Sequence, residues 1–544
     1  MAANDPLTEL RDAVGGAARS LRDGGDGPAP ALERPPKDEL GDYSSNAAML
    51  LAAPLGEKPR DVAERLREML ESSLGDSIER IEVAGPGFVN LFLADRWYRD
   101  AVAGLLAAGQ LGRPAAAVKE RVMVEFVSAN PTGPLTAAGG RHAAYGDSLA
   151  RLNEALGHEV SREYYVNDAG GQIDSFAASI AARMTGAAPP EGGYEGDYIA
   201  EIGERLTAEG VDPNDLETVA RRGVELMLEE IRAALHDYRA DFDSWFSERE
   251  LHESSAVEKV LDRIRETGHT YESDGALWFR SSELGDDKDR VLVRAGGEPT
   301  YFAADLAYHA DKLDRGFQRL EVVLGADHHG YPARMRAALE ALGAPPGTYQ
   351  ATLMQLVNVV ESGRRAQMSK RRGEFVTLAE LTGDIGVDAT RFFMLQRSHD
   401  TPVNLDLELA RRQSNENPVY YVQYAHARIA SILRKAGEEA AGAAAKADLG
   451  AVGARLEPSE RQLVKRLLEL PGEVREAAER RAPHRMTSYA TAVASDFHAF
   501  YRDCQVIGAE GEGVEQSRLA LCLVTKRTIA RTLELLGISA PERM

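Results

Sequence analysis

The sequence predicts an α/β protein: a doubly wound parallel-sheet (Rossmann-type) domain, an α/β domain before it and an all-α helical bundle after it. Three observations carry this. Short apolar runs such as Glu120–Val127 and Leu320–Leu324 are followed by helix-length segments, the pattern of buried parallel strands with crossover helices. The first hundred or so residues hold their own helix and strand pair, and from about residue 386 only helical periodicity remains. At 544 residues the chain is too long for a single core.

Residues 1–112 form the first unit. Asp61–Leu70 carries apolar residues at helical spacing, and Ile78–Val83 and Phe88–Leu93 read as strands joined by the turn Gly85-Pro86-Gly87. Gly109–Ala117, rich in Gly, Ala and Pro, reads as a linker.

Residues 118–385 form the second unit. After the strand Glu120–Val127 come a Pro/Gly loop, a helix from about Gly140 to Leu156 and a strand over His158–Val166. Residues 170–285 break the alternation; they are long, charged and mostly helical, and read as an insertion. Alternation resumes with Val291–Arg294, the strand Leu320–Leu324 and a helix over Tyr331–Leu342.

Residues 386–544 read as helix only. Asn415–Leu433 starts with Asn and Pro and then carries an apolar stripe. Ala436–Gly453, dominated by Ala and Gly, reads as a flexible connection. Helices near 458–481, 485–508 and 514–536 complete a bundle, the last closed by Gly537.

Composition narrows the function. Hydrophobic content of 44% and charged content of 28% are those of a water-soluble chain, and no apolar run is long enough to span a bilayer. Met1–Pro6 lacks the basic-then-apolar pattern of a signal peptide. Cys504 and Cys522 lie in apolar helical context and read as buried thiols, which fits a reducing cytoplasm. A net charge of -22 argues against non-specific nucleic-acid binding but leaves room for a specific RNA met by local basic patches. The abundance of Ala, Arg, Gly and Glu makes lineage bias an equal explanation of that charge.

Against this acidic background, five of the nine residues from Arg364 to Arg372 are basic. Such a loop is built to meet a concentrated anion, triphosphate or RNA. Its centre, Met368-Ser369-Lys370-Arg371, resembles the K-M-S-K-S loop of class I aminoacyl-tRNA synthetases. Upstream, Val124–Leu135 resembles the entry to the ATP site of arginyl-tRNA synthetases. Gly41–Ala48 and Gly85–Asn90 resemble the N-terminal domain of that family, and Asn417–Arg428 and Ala540–Met544 its anticodon-binding domain and C-terminus. The ordered series runs nearly end to end. It implies ATP-dependent activation of L-arginine and transfer to tRNA(Arg), by a cytoplasmic monomer that uses ATP with Mg²⁺, no tightly bound cofactor and no membrane. In this family activation itself needs bound tRNA.

The chemistry sets the candidate residues. Joining a carboxylate to the α-phosphate of ATP needs positive charge and donors around the phosphates. Lys370 is the lead candidate for the β/γ-phosphates, with Ser369 and Met368 beside it. In the family the loop after Leu135 ends in H-V-G-H or a close variant; here those positions are Thr136, Ala137, Ala138 and Gly139, so both histidines are absent. Thr136 keeps a hydroxyl, the following helix N-terminus keeps free N–H groups, and Gly139 and Gly140 permit close approach of phosphate. His142 either projects toward the same site or packs. Asp327 suits the ribose hydroxyls and His328 the nucleotide; no metal site is expected. The missing histidines also motivate a rival reading, a catalytically weakened relative that binds tRNA, arginine or ATP as a sensor.

A guanidinium is matched by carboxylates in fixed geometry. The resemblance places Glu125, Ser128, Asn130, Tyr301 and Asp305 at the arginine, with Tyr301 and Asp305 at i,i+4 on one helical face and on the guanidinium, and Glu125 and Asn130 near the α-amino group. Asp168 ends the second strand with no assigned role, and Trp278 reads as core. For tRNA, Phe88 and Asn90 fit a stacking and base-edge pair or a core face. Tyr420, Tyr421, Tyr424, His426 and Arg428 are bundle candidates for the anticodon. Arg475, Arg480, Arg481, Lys526, Arg527 and Arg531 read as phosphate contacts or a solvated face.

Overall fold

The computed structural model describes residues 6–22, 28–114, 116–365 and 376–544. At the N-terminal end, strands β1 (Leu32–Glu33), β2 (Tyr43–Ser45), β3 (Ile78–Ala84) and β4 (Phe88–Leu93) form an antiparallel sheet in the order β1-β2-β4-β3. Helices Pro6–Leu21, Ala47–Leu55 and Pro59–Leu74 cover it, burying Leu10, Val14, Leu51, Val62 and Leu66.

The central sheet is parallel throughout, in the order β12-β11-β5-β6-β7. Its strands are β5 (Arg121–Glu125), β6 (Glu159–Val166), β7 (Ser244–Ser247), β11 (Arg319–Gly325) and β12 (Tyr349–Met354). The strand order reverses between β5 and β11, which opens a crevice at their carboxyl ends. Side chains alternate across β5. Val122, Val124 and, just beyond it, Phe126 join the core under helix Ala137–Ala155, while Met123 joins the core on the other face with Phe302 and Leu306 of helix Tyr301–Asp314. The first of these helices lies very close to the sheet. A Cβ on Gly146 would stand 2.1 Å from the Phe126 ring, so only glycine permits the approach.

Three expectations are corrected. The segment 170–285 is not wholly an insertion: after helices Gly171–Met184, Asp197–Ala208 and Leu216–Asp237 the chain returns as β7, the fifth strand of the parallel sheet. Val291–Arg294 does not rejoin that sheet. Its strand β10 (Arg290–Val293) closes an antiparallel meander with β8 (Thr270–Ser273) and β9 (Ala276–Phe279), where Trp278 is half-buried and stacks on Tyr271, its cross-strand partner, rather than lying in the core. Nor is the chain helical only beyond 386. Strand β15 (Val403–Asp406) pairs in parallel with β13 (Val357–Glu361), beside β14 (Arg364–Arg365).

The C-terminal bundle packs Pro418–Ala436, Pro458–Leu468, Leu470–Glu479, His484–Asp503 and Val514–Leu535. The Ala-rich connection carries a helix of its own, Glu438–Ala444, pinned by the buried Ala444 and Leu449. Cys504 and Cys522 are buried free thiols. The bundle also grips the N-terminal domain: Lys465 pairs with Asp42 at 3.0 Å, Arg461 with Asp95 at 2.7 Å and Arg34 with Glu469 at 2.7 Å. Arg527 donates to the carbonyls of Leu105 and Leu106, capping the C-terminal end of helix Asp95–Ala107. Among the described residues no helix is long and apolar enough to cross a membrane.

Candidate active site

Glu125 ends β5 and points to the face covered by helix Tyr301–Asp314. It is 6% exposed; Lys312 Nζ donates to its Oε2 at 2.5 Å and Ser128 Oγ to its Oε1 at 3.2 Å. The backbone then turns sharply, with Val127 at φ 66 and Ser128 at φ 40. Two successive non-glycine residues in the left-handed region, one of them β-branched, are strained, as backbone at functional sites often is. The turn brings Ser128 Oγ within 3.1 Å of the Tyr165 amide, which donates to it.

Asp305 stands across from Glu125. Burial pushes its carboxyl up to about 7; a hydrogen bond from Tyr331 opposes this, and the charges of Glu248 and Glu125 add to it. Tyr165 senses the same three carboxylates and hydrogen-bonds Glu248. Glu125, Glu248 and Asp305 therefore form one acidic cluster with Tyr165 and Tyr331 beside it, a candidate pocket whose charge is the electrostatic complement of a delocalised cation. Glu248 and Tyr331 were not singled out in the sequence. Glu248 sits in Ser247-Glu248-Arg249-Glu250, which reads as solvated charge, yet it is 7% exposed because β7 delivers it to the strand ends. Tyr301 begins the helix that carries Asp305 and is 78% exposed at the pocket rim. Asn130 is exposed, its amide donating to Gln172 at 2.6 Å. Asp168 lies just outside the pocket; it accepts from Ser247 Oγ at 2.6 Å and from the Arg249 amide at 3.1 Å, fixing the turn that aims Glu248.

The opposite face of the sheet presents the N-terminus of helix Ala137–Ala155. Thr136 is its N-cap, accepting from Gly139 N at 3.4 Å. Gly139 is half-exposed at that first turn, but Gly140 is buried, and a Cβ there would lie 2.7 Å from Leu378. The space at Gly140 is therefore filled by protein rather than left open to phosphate. His142 is on the same helical face as Gly139 and Gly146, above the sheet's carboxyl edge. Burial pushes its imidazole down to about 4; the charges it senses are Arg141, Asp327 and His328. Asp327 and His328, in the turn after β11, are exposed and 3.6 Å apart. These groups surround the crevice at the switch point, where nucleotides bind in doubly wound sheets. Met368, Ser369 and Lys370 lie outside the described residues.

The RNA candidates separate. Phe88 is 40% exposed, whereas Asn90 is buried and its carboxamide accepts from Ser44 Oγ at 2.7 Å; the two do not present a joint surface. Tyr424 and Arg428 line a cavity of 750 Å³ with Tyr501, Arg543 and Met544, Arg428 lying over both tyrosine rings. Tyr420 stacks on Tyr424 just outside it. His426 is buried and bonds the Pro541 carbonyl at 2.8 Å. Arg527 and Arg481 are engaged within the protein, Arg527 as a helix cap and Arg481 on Gln350.

Family models match in chain order: the arginyl tRNA synthetase N terminal domain over residues 8–93, the class I (R) tRNA synthetase catalytic domain over 101–189, and the DALR anticodon binding domain over 422–544. The arginine–tRNA ligase of Shouchella clausii is 43% identical over 530 residues, covering 95% of each chain. That of Bacillus subtilis is 44% identical over 530 residues with the same coverage. The solved Thermus thermophilus arginyl-tRNA synthetase superposes with a TM-score of 0.77 over 99% of this chain and 100% of its own; at 24% identity that likeness speaks to fold alone. By sequence over almost its whole length, this chain belongs to the arginyl-tRNA synthetase family.

Proposed function

We propose that the protein is an arginine–tRNA ligase, which joins L-arginine to tRNA(Arg) and converts ATP to AMP and pyrophosphate. The observation that carries this reading is the acidic pocket of Glu125, Glu248 and Asp305 opening beside the switch-point crevice. One site takes a cation and the other a nucleotide, at the carboxyl ends of the same strands.

Asp305 and Glu248 hold the guanidinium, with Tyr301 at the rim, and Glu125, Ser128 and Asn130 the α-amino end. The arginine carboxylate then faces the α-phosphate. Its oxygen attacks phosphorus, the bond to the bridging oxygen breaks, and pyrophosphate leaves. The terminal ribose hydroxyl of tRNA next attacks the activated carbonyl and AMP departs. Thr136, Gly139 and the positive end of the helix dipole, together with His142, Asp327 and His328, hold the nucleotide. Lys370 and Ser369 supply donors to the leaving phosphates, with Met368 beside the base. Magnesium arrives on the ATP phosphates, which supply its oxygen ligands. Phe88 stacks on the tRNA elbow, and Tyr424 and Arg428 meet the anticodon. The enzyme acts as a cytoplasmic monomer.

The test is arginine-dependent pyrophosphate exchange with and without tRNA(Arg), followed by aminoacylation. Exchange that requires tRNA, and charging of tRNA(Arg), are the expected results. Binding of arginine and tRNA without turnover would replace this reading with the sensor.

A further inference from the structure

One fully buried cation has no role in the reaction as set out above. Lys312 is 0% exposed and sits beneath the acidic pocket, on the same helix as Asp305 and seven residues on, hence on the same face. Its Nζ is 2.5 Å from Glu125 Oε2, 4.0 Å from Glu163 Oε1 and 3.9 Å from the centre of the Tyr308 ring. Glu125 and Glu163 are register partners on adjacent strands, so their side chains leave the sheet on the same side.

Glu163 feels the charge of Lys312 at 4.0 Å but takes its hydrogen bonds from other groups. It accepts from Arg315 at 2.7 and 3.0 Å, from Tyr308 Oη at 2.9 Å and from Ser244 Oγ at 2.8 Å. Lys312 is committed to Glu125. Lys312 and Arg315 face Glu125 and Glu163 in a layer under the pocket, with Asp311 also paired to Arg315 at 2.8 Å. The ammonium occupies Oε2 of Glu125, which leaves Oε1, steadied by Ser128, as the oxygen that faces the ligand.

Burying a lysine is costly, and apolar packing of similar volume would serve stability at least as well. A role in ligand reading accounts for its retention. We propose that Lys312 is a positioning residue for amino-acid recognition: it offsets the charge of Glu125 and fixes that carboxylate so that one oxygen reads the substrate's α-ammonium group. This rests on the reading of Glu125 given under the proposed function.

The experiment is equilibrium binding of three ligands to the full-length wild type and Lys312→Met: L-arginine, agmatine (which keeps the amine and lacks the carboxylate) and 5-guanidinopentanoate (which lacks the amine). In the variant, arginine and agmatine weaken by about tenfold or more while 5-guanidinopentanoate changes by less than about threefold. Equal weakening of all three ligands, or of none, overturns the proposal. Should Lys312→Met not fold, the comparison is made in a Glu125→Gln background. There, adding Lys312→Met causes no further selective loss of arginine; a further loss of about tenfold overturns the proposal. Failure of the underlying reading looks different, because wild-type protein would then bind arginine no better than 5-guanidinopentanoate.

Discussion

Thr377 pairs in antiparallel register with Thr136, the N-cap of helix Ala137–Ala155 at the crevice beside β5. Backbone bonds flank the pair: Ala137 N donates to Val376 O at 2.9 Å and Leu378 N to Leu135 O at 2.7 Å. Thr377 is itself an N-cap, in a reciprocal capping box with Glu380. The chain that follows the basic stretch Arg364–Arg372 is thus tied to the crevice. Position 370 lies seven residues before this anchor in the sequence, and the proposed reaction assigns its lysine to the leaving phosphates.

Lys370→Ala is therefore expected to lower arginine-dependent exchange by about 10²–10³-fold. Thr377→Ala, which removes a cap worth about 1 kcal/mol, has a smaller effect. Exchange rates at saturating arginine decide between them; a lysine variant within threefold of wild type removes Lys370 from the reaction.

Arginine binding should depend on pH through Asp305. Burial raises this carboxyl to about 7 in the empty pocket, so it takes up a proton as pH falls below neutral, and the proton competes with the guanidinium. The guanidinium keeps its charge throughout. The KM for arginine should fall by about tenfold between pH 6 and pH 8 and then level, because at one unit below its pKa about a tenth of the carboxyl is ionised. The KM for ATP over the same range is the control. A flat arginine profile excludes Asp305 as the titrating contact.

Asp305→Asn removes both the charge and the titration. Leaving a bound guanidinium without its carboxylate costs about 2 kcal/mol or more, roughly a 30-fold rise in KM for arginine. The pH profile of the variant should be flat, and KM for ATP unchanged. Steady-state kinetics at pH 6, 7 and 8 check all three points.

Strand β5 was legible as a short apolar run and β11 as one broken only by Glu321, while β6 was legible from its Tyr-Tyr-Val end and its place after the helix. β7 and β15 were not: each has four residues, within the noise of a helical neighbourhood. The pocket was half legible. Glu125 and Asp305 came from the resemblance, and the structure places both at one pocket. Glu248 and Lys312 carry no mark in the sequence that separates them from surface charges. Only tertiary packing buries them. Phe88 and Asn90 share a strand face, yet one is exposed and the other is buried against β2, which periodicity alone cannot resolve.

His142 lies on the helix that Thr136 caps, and the proposed reaction assigns it to the nucleotide. Burial holds it well below the usual histidine range, at about 4, so across neutral pH it is a neutral donor and acceptor. His142→Ala should lower kcat/KM for ATP by about 10–100-fold with arginine affinity unchanged, and His142→Asn should recover part of it. Because the ring does not titrate between pH 6 and 8, the loss should be the same at both ends of that range. A loss that tracks lowered thermal stability, with no rescue by asparagine, would make the ring a packing residue.

The joint between the central sheet and the bundle is built around one arginine. Arg391 is fully buried; its Nε donates to Leu536 O at 2.8 Å, Nη1 to Tyr238 O at 2.9 Å and Nη2 to Asp147 Oδ2 at 2.5 Å. Asp147 belongs to the helix that carries Thr136 and His142. Gly537 faces this guanidinium with φ 67, and a Cβ there would stand 2.3 Å from Arg391 Nη2. Gly56 has the same φ of 67 with nothing within 4 Å of its virtual Cβ. Gly56→Ala thus measures the backbone cost alone, about 1–2 kcal/mol. Gly537→Ala adds overpacking against a guanidinium held by four acceptors, the carbonyls of Leu536, Tyr238 and Arg239 and the Asp147 carboxylate, a further cost of about 1–3 kcal/mol. Urea unfolding of the two variants reads the difference. Exchange activity should fall for Gly537→Ala and not for Gly56→Ala, since only the former disturbs Asp147; equal costs and equal activities would show that Arg391 gives way freely and couples nothing.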